Sequence, residues 1–547
     1  MRLFAAVGLA FLVMLPRLGS PQFGLLDDGL TLQTGHAMSG RWSSVLHLIP
    51  ETGRFFPAYW LVYSAIVGIV GVRPLGFFAV NVLLLAGLIA ILVRLMRLGG
   101  GTRGQAGAAA VLFALSGPAV EAFYTLSKAE PWQLTWIGLS LLLTAASAID
   151  ARSKTRAALM VLAAAALLLA HATKETSIIL LPIALGWLAM ERWSPNRGPG
   201  ARFAATYVAI NLLAASAFVA LRWSYAPLGL GEGTYTRAYS LDPTTVGAAA
   251  FRVSAWLLRD FAFLLPLLGA ALRWRVGGRS AGRRLILSAG VWMLGWLVVY
   301  LPWPATFEYY LLPFAFGAAA LGGTVVGHIW EARGRQQSVA TRRAAWSLLG
   351  ASALLWLVTI VNAAADARVQ LAVDRANTDL VDFLAGLPTH SRVVLNTDRV
   401  NEYLFELPLH LGEIKRRTDI VVEHVGGARL GGPSGVPIFV VTAALANKPG
   451  PTVRVALDEP GVRRDNARLD ALLAEGGQLV YRAGQHVALP EIGIHRLLCH
   501  VSTSRFTDGT YCPGDRGIIE RRTFSYGWQV HRLGRPPGGA VEIDHGG

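Results

Sequence analysis

"LFAAVGLAFLVML" (Leu3–Leu15) followed by "GLLDDGLTLQTGHAMSGRW" (Gly24–Trp42) decides the class of this chain and poses its main question. The first stretch is apolar throughout and flanked by Arg2 and Arg17. The "RLGSPQ" after it lacks a small-x-small cleavage pattern, so it reads as a retained first membrane helix extending to about Leu18, not a leader. Two adjacent carboxylates, Asp27 and Asp28, then stand just beyond a membrane exit.

The remainder of the chain fits a membrane reading. Of 547 residues, 53% are hydrophobic and 15% charged, and the mean hydropathy is +0.44. Apolar stretches of about 18 residues or more recur, each long enough to cross a bilayer core. After the first helix, spans are expected at Pro74–Leu98, Gln105–Val120, Pro131–Ile149, Arg156–Ala172, Thr176–Met190, Phe203–Leu221, Phe251–Leu272, Leu285–Leu301, Tyr309–His328 and Ala344–Asn362. This makes about eleven. The aromatic-rich Phe55–Gly71 is expected to lie at the interface.

The net charge of +16 does not indicate nucleic-acid binding. The cations sit in alternate short loops, such as "DARSKTR" and "EARGRQQSVATRR", not on one face with interleaved aromatics. The positive-inside rule puts those loops and the N-terminus in the cytoplasm of a multi-pass cell-membrane (inner-membrane) protein, and the acidic loops and the C-terminal tail outside it. The expected organisation is a membrane domain, 1–365, with a first external loop at 19–54, followed by an extracytoplasmic α/β domain, 366–547. In the tail, "DRANTDLVDFLAGL" and "RVNEYLFELPLHLG" read as helices, and "SRVVLNT", "TDIVVEHV", "VPIFVVTAAL" and "TVRVALD" as strands. The glycine-rich "GGARLGGPSG" lacks the strand–turn–helix context of a phosphate loop. Cys499 and Cys512 suit a disulfide if the tail is external, or are two unrelated thiols.

Ionisable residues gather on the external side. They are Asp27 and Asp28, Arg54 in "GRFFPAYW", Glu121, Lys128 and Glu130 in "EAFYTLSKAEPW", His171, Lys174 and Glu175 in "HATKETS", and Glu308 beside Tyr309 in "FEYYLLPF". Any one of them is explained by a solvated helix end. Together they place carboxylates able to take a proton beside cations able to hold a phosphate. That suits a lipid-phosphate substrate whose head group lies at the interface and whose tail lies in the membrane lipid.

These motifs, in this order, resemble the GT-C superfamily of membrane glycosyltransferases, which includes protein O-mannosyltransferases and lipid A aminoarabinose transferases. The resemblance rests on Asp27-Asp28 in the first external loop, "GRFFPAYW", "SKAEPW", "HATKETSIILLP" and "FEYYLLPF", and covers about the first two thirds of the chain. Tyr309 departs from the pattern by standing where a basic residue is expected. The resemblance implies inverting transfer of a sugar from a polyprenyl-phosphate carrier to a hydroxyl of a cell-envelope glycan, glycolipid or protein. It implies Asp27 or Asp28 as the base. Neighbouring residues point in different directions, so the other carboxylate would orient the loop or a cation. Arg54, Lys128, Glu130, Lys174, Glu175, Glu308 and Tyr309 would contact substrate, with Lys174 and Arg54 first for the phosphate. Lys174 otherwise pairs with its neighbour Glu175 or reaches to lipid head groups. Family branches differ in metal use. A divalent cation between Asp27 or Asp28 and Glu130 would relieve their repulsion. Tyr235 and Tyr239 lie in a loop suited to covering substrate. A transporter or flippase of a lipid-linked or small polar substrate is the alternative from another class. It would show paired repeats and broken helices near the midplane, and the sequence shows neither.

Overall fold

A computed structural model describes residues 3–25, 27–47, 54–149, 152–192, 199–225, 239–273, 280–303, 307–332, 339–396, 406–424, 436–443, 467, 469–474, 476–494 and 519–533. Tyr235, Cys499, Cys512, "GGARLGGPSG" and the strand expected at "TVRVALD" lie outside the described residues.

The chain is mostly helical. Helix α1 (Leu3–Gly19) is followed by α2 (Asp28–Met38), α3 (Pro57–Val70), α4 (Pro74–Leu98), α5 (Arg103–Ala114), α6 (Gly117–Tyr124), α7 (Glu130–Ile149) and α8 (Ser153–Thr173). After these come α9 (Leu180–Arg192), α10 (Pro199–Tyr225), α11 (Pro243–Phe261), α12 (Leu264–Arg273), α13 (Ser280–Val298), α14 (Leu312–Ala332) and α15 (Val339–Ala385). Among the described residues six helices are long and apolar enough to cross a membrane, and eight if each of two bent pairs counts as one span. The protein is a multi-pass membrane protein. The count of about eleven expected from hydropathy exceeds this because α1 and α9 are shorter as helices than their apolar runs suggest, each of the two bent segments divides into two helices, and α13 carries Arg283 and Arg284 near its start.

The breaks have local causes. Between α5 and α6 the axis turns by 55° at Ser116-Gly117-Pro118. Ser116 Oγ accepts the Ala119 N–H, and Pro118 sits in the first turn, where a missing N–H costs nothing. At its start α5 has a capping box between Thr102 and Gln105. α11 starts behind an Asp242 cap and Pro243, then turns by 78° into α12.

The polar stretch after α1 is more ordered than its composition suggests, because it contains α2. This helix packs on α3, and Gly35 permits the approach: a Cβ there would stand 2.9 Å from Val67 Cγ2.

The last helix is 47 residues long and runs without a break through residue 365. Its far half carries a mixed sheet in the order β2-β1-β3-β5-β4, with β1 Arg392–Asn396, β2 Val421–His424, β3 Ile438–Ala443, β4 Gly477–Ile492 and β5 Ile519–Leu533. β1 pairs parallel with β2 and β3, and β5 antiparallel with β3 and β4. The long β4–β5 ladder is an element the sequence reading did not anticipate. The sheet is fixed to α15 by buried polar contacts. Asn377 Oδ1 accepts from Tyr526 Oη–H and Trp528 Nε1–H, both at 2.9 Å. Asn362 exchanges two hydrogen bonds with the Ile492 backbone.

Several contacts join this part to the segment that runs from the end of α1 through α2. Arg17, at the end of α1, is 1% exposed and donates to Asp374 Oδ2 of α15 at 2.6 Å. Glu406 and Glu413 reach the two ends of α2, at Gly29 and His36. The sheet-bearing part therefore lies on the same side of the helix bundle as the aspartate pair.

Candidate active site

The aspartate pair splits into two roles. Asp28 begins α2 and is 4% exposed. Its Oδ2 accepts the Gly24 N–H at 2.7 Å and its Oδ1 accepts Ser127 Oγ–H at 2.7 Å. Burial pushes its carboxyl up to about 8; the bonds from Ser127 and Gly24 oppose this, while Asp374 and Glu406 add to it. Asp27 precedes the helix with its side chain 65% exposed. Lys128 Nζ stands 3.9 Å from its Oδ2.

The backbone presenting these groups is strained. Asp27 has φ 66° and Ser127 has φ 53°, two of the four left-handed non-glycine residues among those described. They touch, since Ser127 Oγ also lies 3.2 Å from the Asp27 carbonyl oxygen. Strain of this kind persists only where the surroundings over-determine it, and it collects at functional sites. Here the surroundings include Asn81 of α4, whose side-chain N–H donates to the Phe123 and Thr125 carbonyls at the base of the Ser127 turn.

From Asp27 a row of charges and rings leads away. Lys128 Nζ lies 4.5 Å from the centre of the Tyr309 ring. Tyr309 meets Tyr310 edge to face at 4.6 Å. Lys174 Nζ lies 4.1 Å from the Tyr310 ring and is ion-paired with Glu130, both buried. Arg54 stacks over Phe56 at 4.6 Å and is close enough to Lys174 for the two cations to repel. Glu175 Oε1 accepts the Phe55 N–H at 2.9 Å, with Arg222 3.6 Å away, and so holds the segment that carries Arg54. Tyr239 also feels the charges of Arg54 and Glu175.

The candidate site residues from five separate loops are thus gathered in one place. Two pairings differ from the expectation. Lys174 takes Glu130 as its partner, not its neighbour Glu175. Glu308 faces away from the row, into a buried carboxylate group. Its Oε2 accepts from Arg259 at 2.8 Å, and Arg259 also pairs with Asp366 and lies 3.8 Å from Asp260. Gly117, at the α5–α6 break, leaves room for this group, since a Cβ there would collide with the Glu308 and Asp260 carboxylates. Glu308 thereby fixes the turn that presents Tyr309 and Tyr310. Arg259 and Asp366 were missed by the sequence reading. The signal was present in "WLLRDFAFLL", where two charges interrupt a span and so require a partner.

The carboxylates considered for a shared divalent cation do not fit one as they stand. Both Asp28 oxygens accept protein hydrogen bonds, and Glu130 is held by Lys174. Among the described residues no group of three or more His, Cys, Asp or Glu is placed to hold a metal ion. A groove of about 600 Å³ lies elsewhere, on the apolar faces of α9 and α10 between Leu181, Leu212, Val219 and Trp223.

No family model and no curated protein matches the chain. Three solved structures are similar to it. ArnT from Cupriavidus metallidurans bound to undecaprenyl phosphate is 15% identical over 81% of this chain and 93% of its own, with a TM-score of 0.45. The Archaeoglobus fulgidus oligosaccharyltransferase tethered to an acceptor peptide is 12% identical over 80% and 69%, with a TM-score of 0.46. The mycobacterial arabinofuranosyltransferase AftD is 18% identical over 98% of this chain and 41% of its own, with a TM-score of 0.42. All three are GT-C superfamily glycosyltransferases. At this level of similarity no substrate and no residue role passes from them to this chain.

Proposed function

We propose that the protein transfers a sugar from a polyprenyl-phosphate carrier to a hydroxyl of a cell-envelope glycan, glycolipid or protein, with Asp27 as the base. The observation that carries this reading is the division of labour in the aspartate pair. Asp28 is buried with both oxygens occupied, whereas Asp27 is exposed, held in a strained conformation and set beside Lys128. A base must first be able to reach the proton it takes. Asp27 can; Asp28 positions the loop.

In this account the Asp27 carboxylate accepts the proton of the acceptor hydroxyl. The hydroxyl oxygen forms a bond to the anomeric carbon from the face opposite the phosphate. The bond from that carbon to the phosphate oxygen breaks, and polyprenyl phosphate leaves with the electron pair. Fixed cations in a site that excludes water favour that departure. Arg54 and Lys174 are two cations near enough to repel, and a phosphate between them relieves the repulsion. Lys128 lies between the base and the Tyr309 ring. Glu130 and Glu175 orient Lys174 and Arg54, and Glu308 orients Tyr309.

The finer topology belongs to the same reading. Eleven apolar segments, at α1, α4, α5–α6, α7, α8, α9, α10, α11–α12, α13, α14 and α15, cross the inner membrane. The N-terminus is then cytoplasmic, and the site and the sheet-bearing part are extracytoplasmic. The reading is tested by following release of polyprenyl phosphate from carrier-linked sugars by purified protein. Release that depends on Asp27 is expected. Sugar-independent flux of the intact lipid across sealed vesicles would point to the flippase instead.

A further inference from the structure

An N-cap aspartate ordinarily accepts the free N–H groups at the second and third helical positions with its own carboxylate. Asp27 stands at the N-cap of α2 and does not; its side chain makes no capping bond. The two N–H groups are instead taken by a carboxylate 377 residues away. Glu406 Oε2 accepts the Gly29 N–H at 2.6 Å, and Oε1 accepts the Leu30 N–H at 3.1 Å. Glu406 is 4% exposed, and the fit around it is close. A Cβ on Gly29 would stand 2.6 Å from Glu406 Oε2, 2.8 Å from His410 Cδ2 and 2.9 Å from Leu409 Cβ. Glycine after the aspartate pair is thus what lets this carboxylate approach the helix end.

We propose that Glu406 is a positioning residue for Asp27: it takes over the capping of α2 and so leaves the Asp27 carboxylate directed outward beside Lys128. The inference rests on Asp27 being the base. It assigns to the part of the chain beyond the last span a share in holding the catalytic loop, in addition to any contact with acceptor. Without Glu406, two N–H groups at a helix N-terminus, that of Gly29 buried, lose their partner. The adjacent carboxylate of Asp27 is the replacement: on taking the extended backbone of an ordinary N-cap it would turn inward and leave the site.

This exchange has a signature that a purely structural role lacks. In Glu406→Ala, Asp27 restores the cap, so stability changes little while turnover falls. The test uses the full-length protein in nanodiscs with undecaprenyl-phosphate and dolichyl-phosphate monosaccharides as donors and an envelope extract as acceptor. Thermal unfolding is measured on the same samples. Glu406→Ala is expected to lower kcat about tenfold or more, since a misplacement of about 1 Å costs on the order of 10²-fold. The KM for donor should stay within about twofold, as expected when only a transition-state interaction is lost. Glu406→Gln keeps one acceptor oxygen and should recover part of kcat. A Glu406→Ala protein with wild-type kcat, or with stability and activity lost in proportion and no recovery in Glu406→Gln, overturns the inference. Asp27→Asn is measured alongside. If it retains turnover, the base assignment fails and the inference with it; if it is inactive while Glu406→Ala is normal, only the inference fails. Silence of the wild type with every donor overturns the transferase reading itself.

Discussion

Replacing Lys174 with Met separates two things this residue does. Lys174 and Glu130 are side chains 9% and 2% exposed, joined as an ion pair beneath the Tyr310 ring. Solvent screens such a pair little, so removing one partner strands the other. Lys174→Met leaves the Glu130 carboxylate buried without its cation, which costs about 3–5 kcal/mol. The lost cation–π contact with Tyr310 adds on the order of 1–2 kcal/mol. Lys174→Met combined with Glu130→Gln removes the stranded charge, and most of the first cost should return. The coupling between the two sites should therefore be large, about 2–3 kcal/mol of non-additivity. Stability is read from thermal unfolding of the purified protein by tryptophan fluorescence, with equal amounts of the wild type, both single variants and the double variant. Donor turnover is measured on the same samples. The expected pattern is a low midpoint for Lys174→Met, near-normal stability for the double variant, and no turnover in either. A Lys174→Met protein as stable as the wild type would refute the pairing. A double variant with restored turnover would refute the role of Lys174 at the phosphate.

Three more expectations follow from the site. Asp28 binds its proton more tightly in the folded chain than in an unfolded one, so the stability this gives is present at low pH and lost as pH rises through about 8. Unfolding midpoints of the wild type should fall across that range relative to Asp28→Asn, which has nothing to titrate; parallel curves would contradict the burial of this carboxyl. At Ser127, Ala loses the hydrogen bond to Asp28 and keeps the left-handed backbone, while Gly loses the bond and relieves the strain. Ser127→Gly should therefore be more stable than Ser127→Ala by about 1–2 kcal/mol, and the reverse order in thermal unfolding would show that φ is not strained there. Gly117→Ala should displace Glu308 and with it the turn bearing Tyr309 and Tyr310. A loss of turnover exceeding any loss of folded protein is expected, and unchanged kinetics would detach the Arg259 group from the site.

Much of this arrangement was legible in the chain because membrane constraints are coarse and strong. Apolar length located the helices, and the loop charges collected the ionisable residues on one side, which is where Asp27, Arg54, Lys128 and Lys174 meet. Tertiary pairing was not legible. Nothing local to Lys174 distinguishes Glu130 from Glu175 as its partner, because the choice is made by how α7 packs on α8. The roles of Asp27 and Asp28 could not be separated from the sequence either. Their difference arises from Ser127, 99 residues beyond Asp28, and from Glu406, which caps the helix they begin. Helix α2 was hidden because its low apolar content gives no amphipathic signal and its cap comes from elsewhere. Arg259 and Asp260 went unread although their signal was visible, since charges inside a span demand partners even when those partners lie in distant sequence.

The measurement that bears most directly on the account is release of polyprenyl phosphate from carrier-linked sugars by wild type, Asp27→Asn and Asp28→Asn under identical conditions. The account predicts release by the wild type, none by Asp27→Asn, and reduced but measurable release by Asp28→Asn, whose neutral amide still fills the buried position. Wild-type rates in Asp27→Asn, with activity lost only in Asp28→Asn, would contradict it and move the base to the buried member of the pair.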